Sequence, residues 1–452
     1  MPLVGIIFLT VSGGSYSLEE LVSATGPGLA FLALLLVPIF YGIPVAAITT
    51  ELSSAVPAEG GTYEWMRRTL GDFMAFQAGL LRWIGSWIDM AIYPVLFASY
   101  ITAFFPNFFN NEQAVLFAAG PISIDMRWLI GVIFVIIPMA FLNIRGAKVV
   151  GDSSVIITIV SLIPLIIIAL LGISNIVVNN INPFTPFIDT DVELGTAIVL
   201  GLSLLMWSYC GFDQIGLISG EVENPGKTIP KAMAISMVVI VLAYLLPLMG
   251  AMAVPVPSWQ NWFAGSYVDI GIALGGNWLG IAVAIGGAIS ALGMYGSLLL
   301  SSSRVPFVLA RDSWMTPKLA RESKRHNSPI AAIIVSSAIY ALFTMGSFTD
   351  LILLDVFLIN LLLLLNFLAL VLLRVREPGL DRPMRIPFGW FGVVLVGVPL
   401  VGGIGFLMYM QFTESELPSV LILLGTLTVS VLSYFPAKAY RNRRLTRFQV
   451  NA

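Results

Sequence analysis

The sequence predicts an all-α membrane protein with about twelve transmembrane helices, because apolar stretches of roughly 20 residues, the length needed to cross a bilayer, recur along the whole chain. Hydrophobic residues make up 58% of the 452 residues and charged residues only 11%. Soluble domains carry roughly a quarter charged residues. The mean hydropathy of +0.93 agrees with a chain that is surrounded by lipid.

The predicted spans follow the apolar stretches and the polar segments that separate them. They are 3–27, 28–52, 74–101, 128–144, 153–174, 194–220, 231–254, 277–303, 329–346, 350–373, 390–411 and 418–436. With a cytoplasmic N-terminus, the cytoplasmic segments contain all of the 23 Lys and Arg residues except Arg82, inside the third span, and Arg127. This distribution satisfies the positive-inside rule with an even number of spans. We therefore expect a multi-pass protein of the plasma (cell inner) membrane with both termini cytoplasmic.

Residue usage excludes several classes of function. Cys210 is the only cysteine and His326 the only histidine. Disulfide frameworks, Cys/His metal clusters and histidine-based catalytic triads therefore cannot form. The first residues, Met1-Pro2-Leu3, lack the basic region of a signal peptide. We expect no enzyme active site, no metal and no nucleic-acid partner.

Two predicted spans are interrupted by glycine and polar residues near mid-depth. The first carries glycines and serines in the stretch 9–17, and the sixth carries a glycine among polar residues in the stretch 206–214. Non-helical backbone survives at membrane depth only where protein or a water-filled cavity satisfies its N–H and C=O groups. Interrupted helices at matching positions of two halves indicate an inverted-repeat transporter with its site near the midplane. The alternative is that small residues merely allow close helix packing.

These interruptions suggest a division of the chain. Residues 1–174 would form a first repeat of spans 1–5, and residues 194–373 a second repeat of spans 6–10. Residues 390–436 would add spans 11 and 12. The short basic segment 437–452 is typical of a cytoplasmic tail that lies on an anionic membrane surface.

The interruptions also provide candidate groups for binding a solute. The N-terminal end of a half-helix carries a partial positive charge that suits a carboxylate, and free backbone carbonyls suit an ammonium group. Trp207 or Phe212 would act as an aromatic lid, unless these rings pack in the core or against lipid. The candidates are Ser12, Gly13 and Gly14 in the first span and Trp207, Ser208, Tyr209, Cys210, Gly211 and Phe212 in the sixth.

Acidic residues inside a bilayer are costly, by about 2.5–3.5 kcal/mol on insertion scales, so each one is a functional candidate. Asp89 and Asp213 are candidates for substrate binding, together with Tyr93, which shares a helix face with Asp89. Glu19, near the first interruption, and Asp355, in the outer half of span 10, are candidates for gating or coupling.

Each aspartate also has a structural explanation. Asp89 shares a helix face with Arg82 and would pair with it. Asp213 would begin the second half of span 6 and complement the helix dipole. Asp355 would lie near the membrane interface.

Five segments carry a resemblance to a known family. They are VSGG at 11–14, PAEGGTY at 57–63, IDMAIYPVL at 88–96, GEVENPGKTIPKA at 220–232 and RPMRIP at 382–387. With them the chain resembles, over nearly its whole length, the amino acid–polyamine–organocation (APC) superfamily, and most closely its polyamine-uptake and L-type amino acid transporter-like branch. The resemblance implies a LeuT-like fold of twelve helices with a five-plus-five inverted repeat and discontinuous helices 1 and 6. It also implies a secondary active transporter, a symporter or an exchanger, that moves amino acids or polyamines by alternating access.

The driving ion stays open. Some members of the family carry a lysine in span 5, and none lies between Val155 and Leu171 here. A sodium site would use hydroxyl groups with backbone carbonyls of spans 1 and 8, and Ser290 and Ser297 are available. Hydrogen bonding within their own helix is the commoner explanation for such serines. H⁺, Na⁺ and exchange are all possible couplings, and we expect no resident cofactor.

A charge cluster after span 6 is a candidate inner gate together with the basic loop 304–325, although a solvated loop explains it equally well. It contains Glu221, Glu223, Lys227 and Lys231. L-type relatives can be disulfide-linked to a second subunit through an extracellular cysteine. Because Cys210 falls mid-membrane, we expect no such subunit here.

The number of acids that share one cavity decides between the two substrate classes. Polyamines carry several ammonium groups and no carboxylate, so they need two or more acids, whereas a neutral amino acid needs mainly the helix ends. Acids in four separate places favour a cationic substrate: Glu19, Asp89, Asp213 and Asp355. The alternative function is a transporter-like nutrient sensor that binds amino acid without net transport.

Overall fold

The computed structural model describes residues 1–16, 18–102, 115–119, 122–188, 194–255, 258–345, 348–414 and 417–451. Within these ranges the chain is mostly helical, and nine helices are long and apolar enough to cross a membrane. Three shorter apolar helices accompany them: Pro2–Val11, Gly195–Ser208 and Ile330–Phe343. The protein is therefore a multi-pass α-helical membrane protein, as the composition predicts.

The helices of the first part are α1 Pro2–Val11, α2 Glu19–Thr25, α3 Pro27–Ala55, α4 Thr62–Leu70, α5 Asp72–Thr102, α6 Met126–Ile144 and α7 Ala147–Asn179. Those of the second part are α8 Leu194–Ser208, α9 Gln214–Leu217, α10 Pro225–Ala251, α11 Tyr267–Gly275, α12 Asn277–Ser302 and α13 Arg304–Arg311. The last helices are α14 Ile330–Phe343, α15 Phe348–Arg376, α16 Gly389–Glu414 and α17 Leu417–Asn451. Single 3₁₀ turns lie at Ser219–Glu221, Trp259–Asn261 and Pro317–Ala320.

A small antiparallel hairpin lies between α5 and α6. Its strands are β1 Val115–Ala119 and β2 Ile122–Asp125, with Ala119 opposite Ile122. The sequence predicts only a loop here, because hydropathy detects spans and does not detect short strands outside them. The all-α prediction therefore misses this element.

Most helix ends differ from the predicted span ends by a few residues, and three helices differ by more. Helix α10 begins at Pro225 and not at the predicted 231. Helix α7 extends beyond the predicted 153–174 at both ends, and α17 continues to Asn451. Within the predicted basic tail, residues 437–451 continue the helix of the last span. Ala, Leu and Arg are strong helix formers, so a helix continues after its sequence stops being apolar.

The two predicted helix interruptions are present. Helix α1 ends at Val11 and α2 begins at Glu19, while α8 ends at Ser208 and α9 begins at Gln214. Gly13, Gly14 and Gly211 adopt φ values of 65°, 110° and 92° at these places. Such left-handed conformations are easily reached only by glycine.

The two interruptions lie directly against each other. A Cβ atom added to Gly211 would collide with the backbone carbonyl oxygen of Thr10, at the end of α1. Gly13 and Gly211 are each buried, so both interruptions are enclosed by protein. The interrupted backbone therefore faces other protein segments and not lipid, as its unpaired polar groups require.

Burial separates the centre of the bundle from its edge. The most apolar window of α12 with α13 is 83% buried and that of α5 is 72% buried, whereas that of α17 is only 17% buried. Helices α5 and α12 therefore form the middle of the protein, beside the two interruptions. Helix α17 presents most of its apolar surface outward, as expected for a helix that contacts lipid.

Candidate functional site

The polar backbone groups of the first interruption are largely satisfied from within the chain. The backbone N–H groups of Ser12 and Gly13 both donate to the Phe8 carbonyl oxygen, at 2.8 and 3.2 Å. The Gly14 N–H donates to Ser12 Oγ at 3.0 Å. Ser290 Oγ, on α12, donates to the Gly13 carbonyl oxygen at 2.6 Å. In this conformation the three predicted donor residues therefore have no N–H group left for a substrate carboxylate.

The second interruption is held by a tyrosine that the sequence analysis does not single out. The Tyr244 hydroxyl, on α10, donates to the Ser208 carbonyl oxygen at 2.6 Å. The same hydroxyl lies 3.5 Å from the Val11 carbonyl oxygen, at the end of α1. Tyr244 thus joins the ends of both interrupted helices, where unpaired carbonyls need donors. A single tyrosine in an apolar span gives no sequence signal for such a role.

The aromatic candidates of the sixth span are buried inside the bundle. Phe212 and Tyr209 are fully buried, and Trp207 is nearly so. The Trp207 ring stacks on Tyr93 with ring centroids 6.5 Å apart and an interplanar angle of 23°. Contact with lipid is thus excluded for both lid candidates. Cys210 is buried as a free thiol.

The Tyr209 side chain contacts α3 and α10. Its hydroxyl donates to the Leu34 carbonyl oxygen of α3 at 3.2 Å. Its ring packs edge-on against Tyr244 at 5.2 Å. The Tyr209 side chain therefore fixes α8 against α3 and α10.

An ion pair crosses from α5 to the second interruption. Arg82 Nη2 lies 2.8 Å from Asp213 Oδ2, and the two side chains are 5% and 1% exposed. The explanation that pairs Arg82 with Asp89 is therefore wrong. The i, i+7 spacing on α5 is compatible with that pair, but the guanidinium points to the second interruption. Asp213 also occupies the N-cap position of α9, as expected.

The other two aspartates have fewer partners. Asp89 Oδ1 accepts a hydrogen bond from the Tyr93 hydroxyl at 2.8 Å, so the two predicted site residues do share a helix face. Asp355 is fully buried, and neither of its carboxylate oxygens has a hydrogen-bond partner among the described residues. Asp355 is therefore buried within the helical bundle.

Asp89 and Asp355 line one internal cavity with Arg82. The cavity measures about 10 Å³, roughly the space for one water molecule. Its other lining residues are Gly85, Ser86, Gln214, Ile359 and Leu362. Since Arg82 also pairs with Asp213, three carboxylates and one guanidinium meet at this place. The sequence placed these acids on three different spans and could not show that they converge.

Two amide side chains that the sequence gives little reason to single out lie here: Gln214 lines the cavity, and Asn360 follows the lining residue Ile359 on α15. Gln214 Oε1 accepts a hydrogen bond from Ser301 Oγ at 3.0 Å. Asn360 Oδ1 accepts one from the Tyr41 hydroxyl at 3.0 Å. An uncharged amide within an apolar span is a weak but readable signal, because buried polar groups are costly unless they are paired.

Glu19 lies apart from this cavity. Its Oε1 accepts hydrogen bonds from the Tyr100 hydroxyl at 3.0 Å and from the Gly265 and Tyr267 backbone N–H groups at 3.2 and 3.3 Å. The carboxylate is fully buried. The predicted acids therefore form two groups, one at the cavity and one around Glu19.

The two coupling candidates on α12 differ from each other. Ser290 bonds across to Gly13, so hydrogen bonding within its own helix does not explain it. Ser297 Oγ is buried without a hydrogen-bond partner in the part of the chain described. It lines a second cavity of about 10 Å³ with Leu9, Asn143 and Ser154. Among the described residues no group of His, Cys, Asp and Glu is arranged to hold a metal ion.

The predicted inner-gate cluster is present in part. Glu221 Oε1 lies 2.7 Å from Arg304 Nε, and Glu59 Oε2 lies 2.7 Å from Arg311 Nη1. The salt bridges of the described segments include neither Lys227 nor Lys231. The observed ion pair therefore connects Glu221 to Arg304 at the start of α13, and the two lysines take no part in it.

A tyrosine next to these pairs donates to a shared carboxylate. The Tyr63 hydroxyl donates to Asp312 Oδ2 at 2.6 Å, and Arg67 Nη1 lies 2.7 Å from the same oxygen. Burial, together with the Asp312 carboxylate, raises the pKa of the Tyr63 hydroxyl. The hydroxyl therefore keeps its proton and remains a donor.

A multi-pass helical bundle with two touching helix interruptions and a buried charged cavity is the architecture expected of a membrane permease. The chain belongs to the amino acid permease family, whose model matches residues 3–431. This match confirms the resemblance to the APC superfamily.

Curated relatives cover most of the chain. Polyamine transporter PUT1 of Oryza sativa subsp. japonica is 32% identical, over all of this chain and 80% of its own length. Polyamine transporter RMV1 of Arabidopsis thaliana is 29% identical, over 90% of this chain and 79% of its own. Branched-chain amino acid permease BcaP of Bacillus subtilis (strain 168) is 26% identical, over 89% of this chain and 82% of its own.

Proposed function

We propose that this permease is a secondary active transporter that moves polyamines across the plasma membrane by alternating access. The observation that carries the proposal is the meeting of Asp89, Asp213 and Asp355 around the single guanidinium of Arg82. Buried acids in a membrane protein are expensive and belong to substrate or ion pathways. An excess of carboxylates over cations suits a substrate that brings its own positive charge.

An amino acid is the less favoured substrate. Its carboxylate would need free N–H groups at the first interruption, and those of Ser12, Gly13 and Gly14 already donate within the chain. It would also approach a cavity that contains two carboxylates, Asp89 and Asp355. The names of the plant relatives, polyamine transporters at about 30% identity, favour the same choice.

For the architecture we propose twelve spans with a five-plus-five inverted repeat, in which α1 with α2 and α8 with α9 are the discontinuous helices 1 and 6. The three short apolar helices would complete the nine long ones. Two of the three belong to the interrupted spans, which accounts for their length. The repeats would comprise residues 1–174 and 194–373, followed by residues 390–436.

Substrate movement would be coupled to H⁺ or Na⁺ or proceed by exchange, without a resident cofactor. Both termini would be cytoplasmic, since nearly all cationic residues then lie inside.

Cys210 is buried and free, which argues against a disulfide-linked second subunit. A nutrient sensor would bind the same amines without moving them.

The test is uptake of labelled putrescine and spermidine by the purified chain in liposomes. Asp89→Asn and Asp355→Asn each keep the side-chain shape and remove a charge, and we expect at least a tenfold loss of uptake in both. Asp269→Asn, at an exposed position on α11, is the matched control and should transport normally. Full uptake in both cavity variants would refute the proposed site. Binding of amines without any uptake would support the sensor instead.

A second test addresses the contact between the two interruptions. Gly211→Ala places a methyl group against the Thr10 carbonyl in a left-handed conformation, so we expect uptake to be abolished. Gly71→Ala is the control, because Gly71 has a similar φ of 81° but no atom of the described residues within 4 Å of its added Cβ. It should cost about 1–3 kcal/mol of stability and keep transport. Equal uptake by the two variants would show that the contact is not needed.

A further inference from the structure

We propose that this chain has a second ammonium-binding subsite, formed by Glu19 with Tyr16, Tyr100 and Tyr267, and that a long polyamine lies extended between this subsite and the cavity of Asp89 and Asp355. The inference rests on the proposed polyamine transport. It adds a place for the far end of the substrate.

The first observation is that one oxygen of the buried Glu19 carboxylate accepts no hydrogen bond from the described residues. Glu19 is fully buried, and its Oε1 accepts hydrogen bonds from Tyr100, Gly265 and Tyr267. Its Oε2 has no hydrogen-bond partner among the described residues. Buried carboxylate oxygens are normally satisfied, so an unpaired one marks the position of a missing donor. An ammonium group is such a donor and also carries the opposite charge.

The second observation is the set of aromatic rings beside this carboxylate. Tyr16 packs edge-on against Tyr100, with centroids 5.2 Å apart, and against Tyr267, at 6.4 Å. The Tyr16 hydroxyl donates to the Ser161 carbonyl oxygen of α7 at 2.8 Å, which holds the ring in place. Tyrosine faces attract ammonium groups through their quadrupole. A carboxylate among tyrosine rings therefore has the chemistry of an amine site.

A glycine pair on α12 makes room for these rings. A Cβ atom at Gly287 would lie 2.7 Å from the Tyr100 ring, and one at Gly286 would collide with the Tyr16 hydroxyl. Larger residues at these positions would displace both tyrosines. The close approach of α12 is thus required for the arrangement around Glu19.

The third observation is the spacing along α5. Asp89, Tyr93 and Tyr100 share one face of this helix, because positions 89 and 100 are three turns apart. At 1.5 Å per residue the separation is about 16 Å along the axis. A diamine with one short spacer reaches only one of the two acidic groups. An extended tetraamine is long enough to place ammonium groups at both.

A purely structural role for Glu19 would be to anchor the loop that contains Gly265 to α2. Glu19→Gln separates the two roles, because the amide keeps an Oε1 acceptor for the loop and removes the charge. Glu20→Gln is the matched control on the same helix. Glu20 is partly buried and accepts one N–H group from the same loop, that of Ala264, at 3.3 Å.

The experiment measures the affinities of putrescine, spermidine and spermine for the purified full-length chain by calorimetry, with melting temperature as a check of folding. In the wild type we expect spermine to bind at least tenfold more tightly than putrescine. In Glu19→Gln we expect spermine affinity to fall at least tenfold and putrescine affinity to change less than twofold. Glu20→Gln should resemble the wild type, and Asp89→Asn should weaken all three amines.

Equal losses for putrescine and spermine in Glu19→Gln, or no loss, would overturn the second subsite and leave the proposed function standing. Equal affinities of the two amines for the wild type would overturn it without any variant. If the wild type bound none of the three amines, the proposed function and this inference would fail together.

Discussion

The glutamates Glu51 and Glu221 have complete ion pairs, whereas the aspartates at the cavity do not. Glu51 and Glu221 each meet an arginine, with Glu51 Oε2 2.5 Å from Arg374 Nη2 and Glu221 Oε1 2.7 Å from Arg304 Nε. In the described part of the chain, neither Asp355 oxygen has a hydrogen-bond partner at the cavity, and one guanidinium, that of Arg82, serves three carboxylates. The first arrangement is complete and holds helices together. The second is incomplete, as expected where a charged solute supplies the missing partner.

The largest effect should come from breaking the most buried complete pair. Glu51 and Arg374 are each 1% exposed, and Glu51 also accepts the Ile386 backbone N–H at 2.7 Å. Glu51→Gln leaves the guanidinium without a counter-charge, so we expect a loss of about 3–5 kcal/mol of stability. Thermal unfolding of the detergent-solubilised chain measures it. Glu59→Gln is the control, because its Arg311 partner is 46% exposed, and it should cost only about 0–1 kcal/mol. Similar losses in the two variants would contradict the comparison.

The cavity should respond in the opposite direction. Asp355→Asn replaces a buried carboxyl group that has no hydrogen-bond partner among the described residues, so we expect the melting temperature to stay the same or to rise, while amine uptake falls. The two readouts are measured on one preparation. A drop in melting temperature comparable to that of Glu51→Gln would mean that Asp355 is a structural residue with a partner of its own.

The smallest effect concerns a pair at the surface. A hydrogen bond from Arg68 lowers the pKa of Glu377 below its usual value, and Glu377 Oε1 accepts from Arg68 Nε at 2.8 Å. A lowered carboxyl pKa adds stability above the pKa of the unfolded chain, and this stability disappears as the pH falls through the folded value. Glu377→Gln should therefore lower the free energy of unfolding at pH 7 by at most about 1 kcal/mol. This loss appears as a slightly lower melting temperature. The difference from the wild type should shrink as the pH falls through the folded-state pKa of Glu377 and vanish below it. A difference that grows on acidification would reverse the expected sign.

Hydropathy and glycine placement predict much of this fold. The apolar length places α5 within two residues at each end, and the glycines at 13, 14 and 211 mark the interruptions correctly. What the sequence could not provide is the rotation of each helix about its axis. That rotation turns Arg82 to Asp213 and brings Asp355 beside Asp89. Spacing within one helix is read from the chain, but which faces of different helices meet depends on packing of the whole bundle.

The contact between Gly211 and the Thr10 carbonyl leaves no side chain between the two unwound segments. Because the two backbones touch directly, a displacement of either segment should displace the other by a similar distance. The Tyr244 hydroxyl contacts the carbonyl groups at the ends of both α1 and α8 and would keep the two helix ends together during such a movement. An inward swing of one half of the chain should then force a matching swing of the other.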